Sequence, residues 1–138
     1  MADDPIILNF VPYKEAIHWK AIESWFGNYK EWEGMDKAVL PDFGLVCEVD
    51  REPVCAGWCY FTNSVVMWME WVVCDPKAGK EVRNKALDAL ITRLAEEGAE
   101  RGHRVIFTQI KPTPFEKRLN RLGFISGDRN MIHMVKGV

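Results

Sequence analysis

Ten consecutive residues from Val65 to Cys74 carry a single charge, that of Glu70. Read with the two-residue period of a strand, Trp68, Glu70, Val72 and Cys74 fall on one face, and Met67, Met69, Trp71 and Val73 on the other. Both faces are mostly apolar, which predicts a central strand covered on both sides. The one carboxylate in this run is costly to bury as an ion. Such a group protonates, pairs, or serves chemistry with a raised pKa. An edge-strand Glu facing water is the alternative, and spacing alone does not separate the two.

The rest of the chain supplies the covering layers. Pro5 to Val11 predicts a first strand, and Tyr13 to Phe26 a helix with Ala16, Ile17, Trp19, Ala21, Ile22 and Trp25 near 3.6-residue spacing. A second short helix is expected over Tyr29 to Met35. Phe43 to Val49, Val54 to Phe61 and Val65 to Cys74 form an antiparallel meander whose turns are Asp50-Arg51-Glu52-Pro53 and Thr62-Asn63-Ser64. Lys80 to Arg101 is the clearest helix, with a stripe at Val82, Ala86, Ala89, Leu90, Leu94 and Ala95, and Gly102 stops it. Val105 to Ile110 is a strand. Thr113 caps a helix with Pro114 in its first turn, and Gly123 ends it. Further strands are expected at Phe124-Ile125-Ser126 and from Met131 to Val135. A strand, a long helix and another strand over residues 65–110 make one crossover unit beside the meander. This is α+β with a mixed sheet, in one domain spanning residues 1–138.

Charge narrows the function classes. Residues 1–76 hold 5 basic and 13 acidic residues, a net −8, whereas residues 77–138 hold 13 and 7, a net +6. The basic half suits an anionic ligand such as a nucleotide, and the acidic half a cationic acceptor such as an amine. Folding that mixes the halves over one surface is the alternative. Cys47, Cys55, Cys59 and Cys74 form no CxxC pair and have no His at finger-like spacing, so no metal site is expected. The start Met1-Ala2-Asp3-Asp4-Pro5 lacks the basic-then-apolar pattern of a signal peptide, and no apolar stretch is long enough to span a bilayer. A cytoplasmic protein with reduced thiols, and no membrane partner, is the expectation.

The joints between these elements resemble the GNAT (GCN5-related N-acetyltransferase) family, most strongly over residues 43–126. Val54-Cys55-Ala56-Gly57-Trp58-Cys59-Tyr60 is similar to that family's third strand. Trp71-Val72-Val73-Cys74-Asp75-Pro76 is similar to its fourth strand and exit, and Asn120-Arg121-Leu122-Gly123-Phe124 to the signature after its last helix. The resemblance implies a GNAT-like mixed central sheet of about seven strands flanked by about four helices. It implies transfer of an acetyl group from acetyl-CoA to an amine of a small-molecule or protein acceptor. Pantetheine would pair with the backbone of Val72, Val73 and Cys74. The pyrophosphate would sit at the start of the long helix, over Gly79, Lys80, Glu81, Val82, Arg83, Asn84 and Lys85, a helix-terminus anion site. Glu70 matches the general base of the histone-acetylating branch, four residues before a Cys at the strand end.

The chain departs from the family pattern twice. Gly79, Val82 and Asn84 stand where the phosphate loop has a basic residue and two glycines, and Leu119 stands where many members have a thiolate-protonating Tyr. Tyr60, Cys74 and Thr113 are candidate substitutes for that acid. These departures motivate a second reading, a catalytically inactive GNAT-fold binding or structural protein. A nucleic-acid binder using Arg118, Arg121 and Arg129 is a weaker third, since no binding motif is present. His18, His103 and His133 share no ligand spacing and read as structural. Trp71 reads as core, while Trp25, Trp32 and Trp68 are open as walls of an acceptor site that Glu23, Glu31, Glu33 and Asp36 would make acidic. The sequence is compatible with a homodimer and does not fix the acceptor.

Overall fold

The structure is a computed structural model that describes residues 5–32 and 34–138; Glu33 and the acidic Asp3 and Asp4 lie outside the described residues. Five strands form one sheet in the order β1 (Leu8–Pro12), β2 (Phe43–Val49), β3 (Glu52–Phe61), β4 (Val66–Cys74), β5 (Val105–Phe107). Neighbours are antiparallel from β1 to β4, and β5 lies parallel to β4 after the crossover through α2 (Lys80–Glu100). The β2–β3 turn is two residues long because Asp50 and Arg51 both take positive φ, 52° and 68°, the twist that suits a tight hairpin.

The sheet is covered on both faces. On one side α2 lays Ala86, Leu90, Ile91 and Leu94 over Cys47, Cys55, Cys59, Met67 and Met69, and α3 (Pro114–Arg121) adds Leu119. On the other, α1 (Glu15–Phe26) packs Ile22, Trp25 and Phe26 over Val46, Ala56, Trp58 and Val73. Gly44 makes room for the second core: a Cβ there would lie 2.5 Å from the Trp58 indole. The meander and both long helices thus follow the hydrophobic periodicity of the sequence.

The expected seven strands and four helices are corrected, among the described residues, to five strands and three α-helices, with two short 3-10 turns at Lys30–Trp32 and Lys37–Val39. The short helix expected over Tyr29–Met35 is cut by Gly34, which takes φ +74°. β5 ends at Phe107 because Thr108 turns its hydroxyl onto the Met69 carbonyl (2.6 Å) instead of extending the ladder. Phe124 to Ser126 is no strand: Asn120 donates to the Phe124 carbonyl (3.0 Å) and to Ser126 Oγ (3.2 Å), fastening the segment along α3. Met131 to Val135 pairs with nothing among the described residues.

Candidate active site

The central strand does not keep one alternation along its length. Trp58 is opposite Glu70, but Ala56 is opposite Val73, so β4 carries one extra residue at Trp71–Val72. Trp71 takes φ +64°, a left-handed conformation uncommon for a bulky residue, and this bulge is the cause. The expected shared face is therefore corrected. Trp68 and Glu70 point to the α1 side with Trp58, whereas Val72 and Cys74 pack into the α2-side core. Val73 and Trp71 join the α1-side core, Trp71 against Phe26 and Trp32 at ring separations of 6.4 and 6.0 Å.

The same region opens the sheet. β5 pairs with β4 only over Val66–Trp68, and beyond that the strands part. Among the described residues no strand pairs with the far edge of β4 from Glu70 to Cys74, so its backbone groups on that side have no strand partner. Glu70 sits where the parting begins and is half-buried. Burial raises its carboxyl from the ordinary 4.5 to about 7, against the pull of one hydrogen bond from the Gln109 N–H (3.1 Å) to Oε1. A carboxylate with that pKa can accept a proton near neutrality and release it again.

The start of α2 lies past the open strand end. Asp75 turns the chain, accepting from the Lys77 and Ala78 N–H groups. Gly79 is the N-cap residue without a side-chain cap, and the first helical bond of this turn runs from the Arg83 N–H to the Gly79 carbonyl (2.9 Å). The N–H groups of Lys80, Glu81 and Val82 are left without helical acceptors, as at any helix start. Lys77, Lys80 and Arg83 add positive charge beside them. Val82 turns its side chain into the α2-side core. Asn84 is drawn elsewhere: its Oδ1 and carbonyl accept from Arg118 at 2.7 and 3.1 Å. Lys85 pairs with Glu81 at 3.5 Å.

The other singled-out residues are placed plainly. Tyr60 accepts from Trp71 Nε1 (2.9 Å) and donates to the Val39 carbonyl, so its hydroxyl is occupied as a tie. Thr113 caps α3 through the Phe115 N–H. Leu119 is core. Cys74 lies half-buried opposite Cys55, and hydrogen bonding to that thiol, with Arg83 and Arg118 nearby, holds it below its usual value. His18 accepts the Lys14 N–H on Nδ1 (2.9 Å) at the start of α1, and burial lowers its pKa. Trp25 is core, while Trp32 and Trp68 stay half-buried, Trp68 edge-on to Phe107 at 5.2 Å. Arg118, Arg121 and Arg129 are spent in ion pairs with Asp88 and Glu116. Glu23, Glu31 and Asp36 are exposed.

Sequence reasoning missed Gln109 and Thr108, the two residues that stitch β5 to Glu70 and Met69. The polar Thr-Gln pair following Val105-Ile106-Phe107 was the available signal. The surface also carries a shallow groove of about 490 Å³ between Phe10 and the outer side of α2 at Asp88 and Arg93, and Glu70 is not in its lining.

Comparison with known proteins settles the fold. No family model matches the sequence, and no curated protein matches it. Among solved structures, an aminoglycoside N-acetyltransferase in complex with CoA aligns over 99% of this chain and 100% of its own, with TM-score 0.67 and 17% identity. A Trypanosoma brucei acetyltransferase aligns over 94% and 100%, with TM-score 0.63 and 18% identity. A transcriptional regulator from Bacillus halodurans aligns over 94% and 100%, with TM-score 0.70 and 15% identity. The chain has the GNAT fold. No helix among the described residues is long and apolar enough to cross a membrane.

Proposed function

We propose that this chain is an acetyl-CoA-dependent N-acetyltransferase in which Glu70 is the general base. The observation that carries the reading is Glu70 itself, half-buried at the parting of β4 and β5 and titrating near 7. Support comes from the fold and from the CoA bound to one of its structural neighbours. The chain's own residues fit that cosubstrate. The unpaired edge of Val72, Val73 and Cys74 offers backbone groups to an amide-bearing arm. The free N–H groups of Lys80, Glu81 and Val82, with Lys80 and Arg83 beside them, suit a pyrophosphate. Val82 leaves its N–H uncovered because its side chain faces the core.

The reaction needs little more. Glu70 takes a proton from the acceptor ammonium, directly or through water. The freed amine attacks the thioester carbonyl, the C–S bond of the resulting adduct breaks while its nitrogen gives up a second proton to water, and CoA leaves as thiolate to be protonated by solvent or by a nearby acid. A thiol is an adequate leaving group, so the absence of a Tyr at Leu119 does not block the step. Cys74, the candidate acid nearest the strand end, fits that role better than Tyr60, whose hydroxyl proton is given to the Val39 carbonyl, or Thr113, whose hydroxyl caps α3. The acceptor is an amine, small-molecule or protein-borne. A cytoplasmic location belongs to the same reading, since the four cysteines are free thiols, as in a reducing compartment.

The glycine-poor start of α2 favours one rival, a GNAT-fold module that binds without catalysing. Calorimetric titration with acetyl-CoA separates them. Binding at micromolar to sub-millimolar concentration, with release of free thiol when amines are supplied, is the result expected. Absence of binding at millimolar cosubstrate overturns the enzyme reading.

A further inference from the structure

Three of the chain's four thiols stand in one row across the sheet. Cys47 on β2 is opposite Cys55 on β3, and Cys55 is opposite Cys74 on β4. All three belong to the α2-side core, with Ala86 and Leu90. Cys59, the fourth, is opposite Phe43 and Met69, so no thiol faces it across either ladder. A row of thiols has a chemistry that an isolated buried cysteine lacks, because two neighbours can share a bond.

The two junctions in the row differ. Along an antiparallel ladder, pairs that exchange hydrogen bonds alternate with pairs that do not, and the second kind brings side chains closer. The Asp75 N–H donates to the Val54 carbonyl (2.7 Å), so Val54 and Asp75 are a hydrogen-bonded pair. Cys55 and Cys74, next along, are therefore a non-hydrogen-bonded pair, with Cα atoms about 4.5 Å apart, a spacing that a disulfide spans. On the other side, the Tyr13 N–H donates to the Gly44 carbonyl (2.8 Å), so Gly44 turns its backbone groups to β1. Cys47, three residues on, turns its own to β3. Cys47 and Cys55 are thus a hydrogen-bonded pair, whose side chains stand farther apart.

The thiols also differ in reach. Cys74 is half-buried, whereas Cys47 and Cys55 are fully buried. Hydrogen bonding to Cys55, with Arg83 and Arg118 nearby, holds Cys74 low and favours its thiolate, the form that oxidants attack. Hydrogen bonding with Cys47 and Cys74, together with burial, pushes the Cys55 thiol up. Burial pushes Cys59 up to about 12, which leaves it inert.

We propose that Cys74 and Cys55 form a reversible oxidation site, in which a small peroxide oxidises Cys74 and Cys55 closes a cross-strand disulfide. The Cys74 sulfur attacks one peroxide oxygen, the O–O bond breaks, and the thiol proton leaves with the departing oxygen as water. Cys74 is then a sulfenic acid. The Cys55 sulfur attacks the Cys74 sulfur, the S–S bond forms, the S–O bond breaks, and hydroxide departs with the Cys55 proton as a second water. Two thiols lose two electrons, and the peroxide gains them. Thiol–disulfide exchange with a thiol reductant reverses the bridge. A disulfide of this kind is transient in a reducing compartment, as redox-sensing ones are. The bridge ties β3 to the exit of β4, a stretch with no strand partner on its far side among the described residues.

Peptide mapping reads the site directly. The reduced full chain is treated with equimolar hydrogen peroxide without denaturant, then unfolded, alkylated and mapped by mass spectrometry. The expected product joins Cys55 to Cys74 within one chain and leaves Cys47 and Cys59 alkylated. Dithiothreitol should return all four thiols to the alkylated form. Cys47→Ala should form the same bridge. In Cys55→Ala no bridge should form, and dimedone should capture the Cys74 sulfenic acid that now has no resolving thiol. The map of the parent chain decides the outcome even where Cys55→Ala fails to fold. A Cys47–Cys55 bridge, a bridge between two chains, Cys74 driven to sulfinic acid without a bridge, or four thiols still free would each overturn the proposal.

Discussion

Glu70 stands directly opposite Trp58 across β4 and β3, on the face that α1 covers. Cross-strand partners lie within side-chain contact, so a fully buried indole flanks the one carboxylate of the strand. Among the described residues, that carboxylate accepts a single hydrogen bond, from the Gln109 N–H. Two or three such donors would stabilise the anion; one does not offset the loss of water. The raised pKa follows from this burial beside Trp58, which one donated hydrogen bond does not offset.

Glu70→Gln should lower kcat/KM for acetyl transfer by about 10²–10⁴-fold, the usual worth of a positioned base. The parent enzyme's rate should rise with pH through an apparent pKa of about 7, and this limb should vanish in the variant. Acetyl-CoA affinity, measured by calorimetry, should stay within about twofold. An unchanged pH–rate profile would remove Glu70 from the mechanism.

The same carboxyl makes stability depend on pH in a direction unusual for an acid. Between 4.5 and about 7 the folded protein holds a proton on Glu70 that the unfolded chain has released. The native state then binds more protons, so this group's contribution to stability falls as pH rises through that window. Thermal melts of parent and Glu70→Gln should coincide near pH 4, and the variant should melt higher above about pH 7. A variant that melts lower at high pH would show that the anion is favourably held.

The contrast between what was and was not readable follows from the range of the forces. The meander and both long helices were legible because their periodicity is local and strong. The boundaries of β2 and the start of α2 at Lys80 fell where the sequence put them. The facing of Val72 and Cys74 was not legible, because one bulge residue inverts every side chain after it. Nothing in Trp71 itself announces φ +64°; it follows from the register shift against β3, a long-range pairing that local sequence does not show. The expected strand over Met131–Val135 rested on local propensity, and among the described residues that segment pairs with no strand.

Gly44 is where packing is least forgiving. A Cβ there meets the Trp58 indole at 2.5 Å, and the ring is fully buried between Tyr13, at 5.0 Å, and Phe26, at 6.2 Å. Gly44→Ala should therefore cost about 1–3 kcal/mol by overpacking, read as a lower urea midpoint. Gly127→Ala, with open space around it, should leave the midpoint unchanged.

Arg118 staples α3 to α2. Its largely buried side chain donates to Asp88 (2.6 Å) and twice to Asn84. Arg118→Met leaves those acceptors short of a partner and should destabilise by about 1–3 kcal/mol. Arg121 reaches the same Asp88 from an exposed position, and Arg121→Met should leave the melting temperature nearly unchanged. Equal effects from the two would mean that the pairing, rather than burial, sets the energy.

The phosphate-site reading can be tested one N–H at a time. Lys80 is the first residue of α2, where a proline is accommodated because its missing N–H has no helical partner. The residue before a proline must be extended, and Gly79 already is, at φ −62° and ψ 151°. Lys80→Pro therefore keeps the helix while deleting one amide donor and one cation. Lys80→Ala deletes the cation alone. If the pyrophosphate rests on these amides, Lys80→Pro should weaken acetyl-CoA binding about tenfold beyond Lys80→Ala, the worth of one hydrogen bond to a charged group. Circular dichroism should show the same helix content in both. Equal affinities for the two variants would mean that the Lys80 N–H does not meet the phosphate and that charge alone holds the cosubstrate at this end.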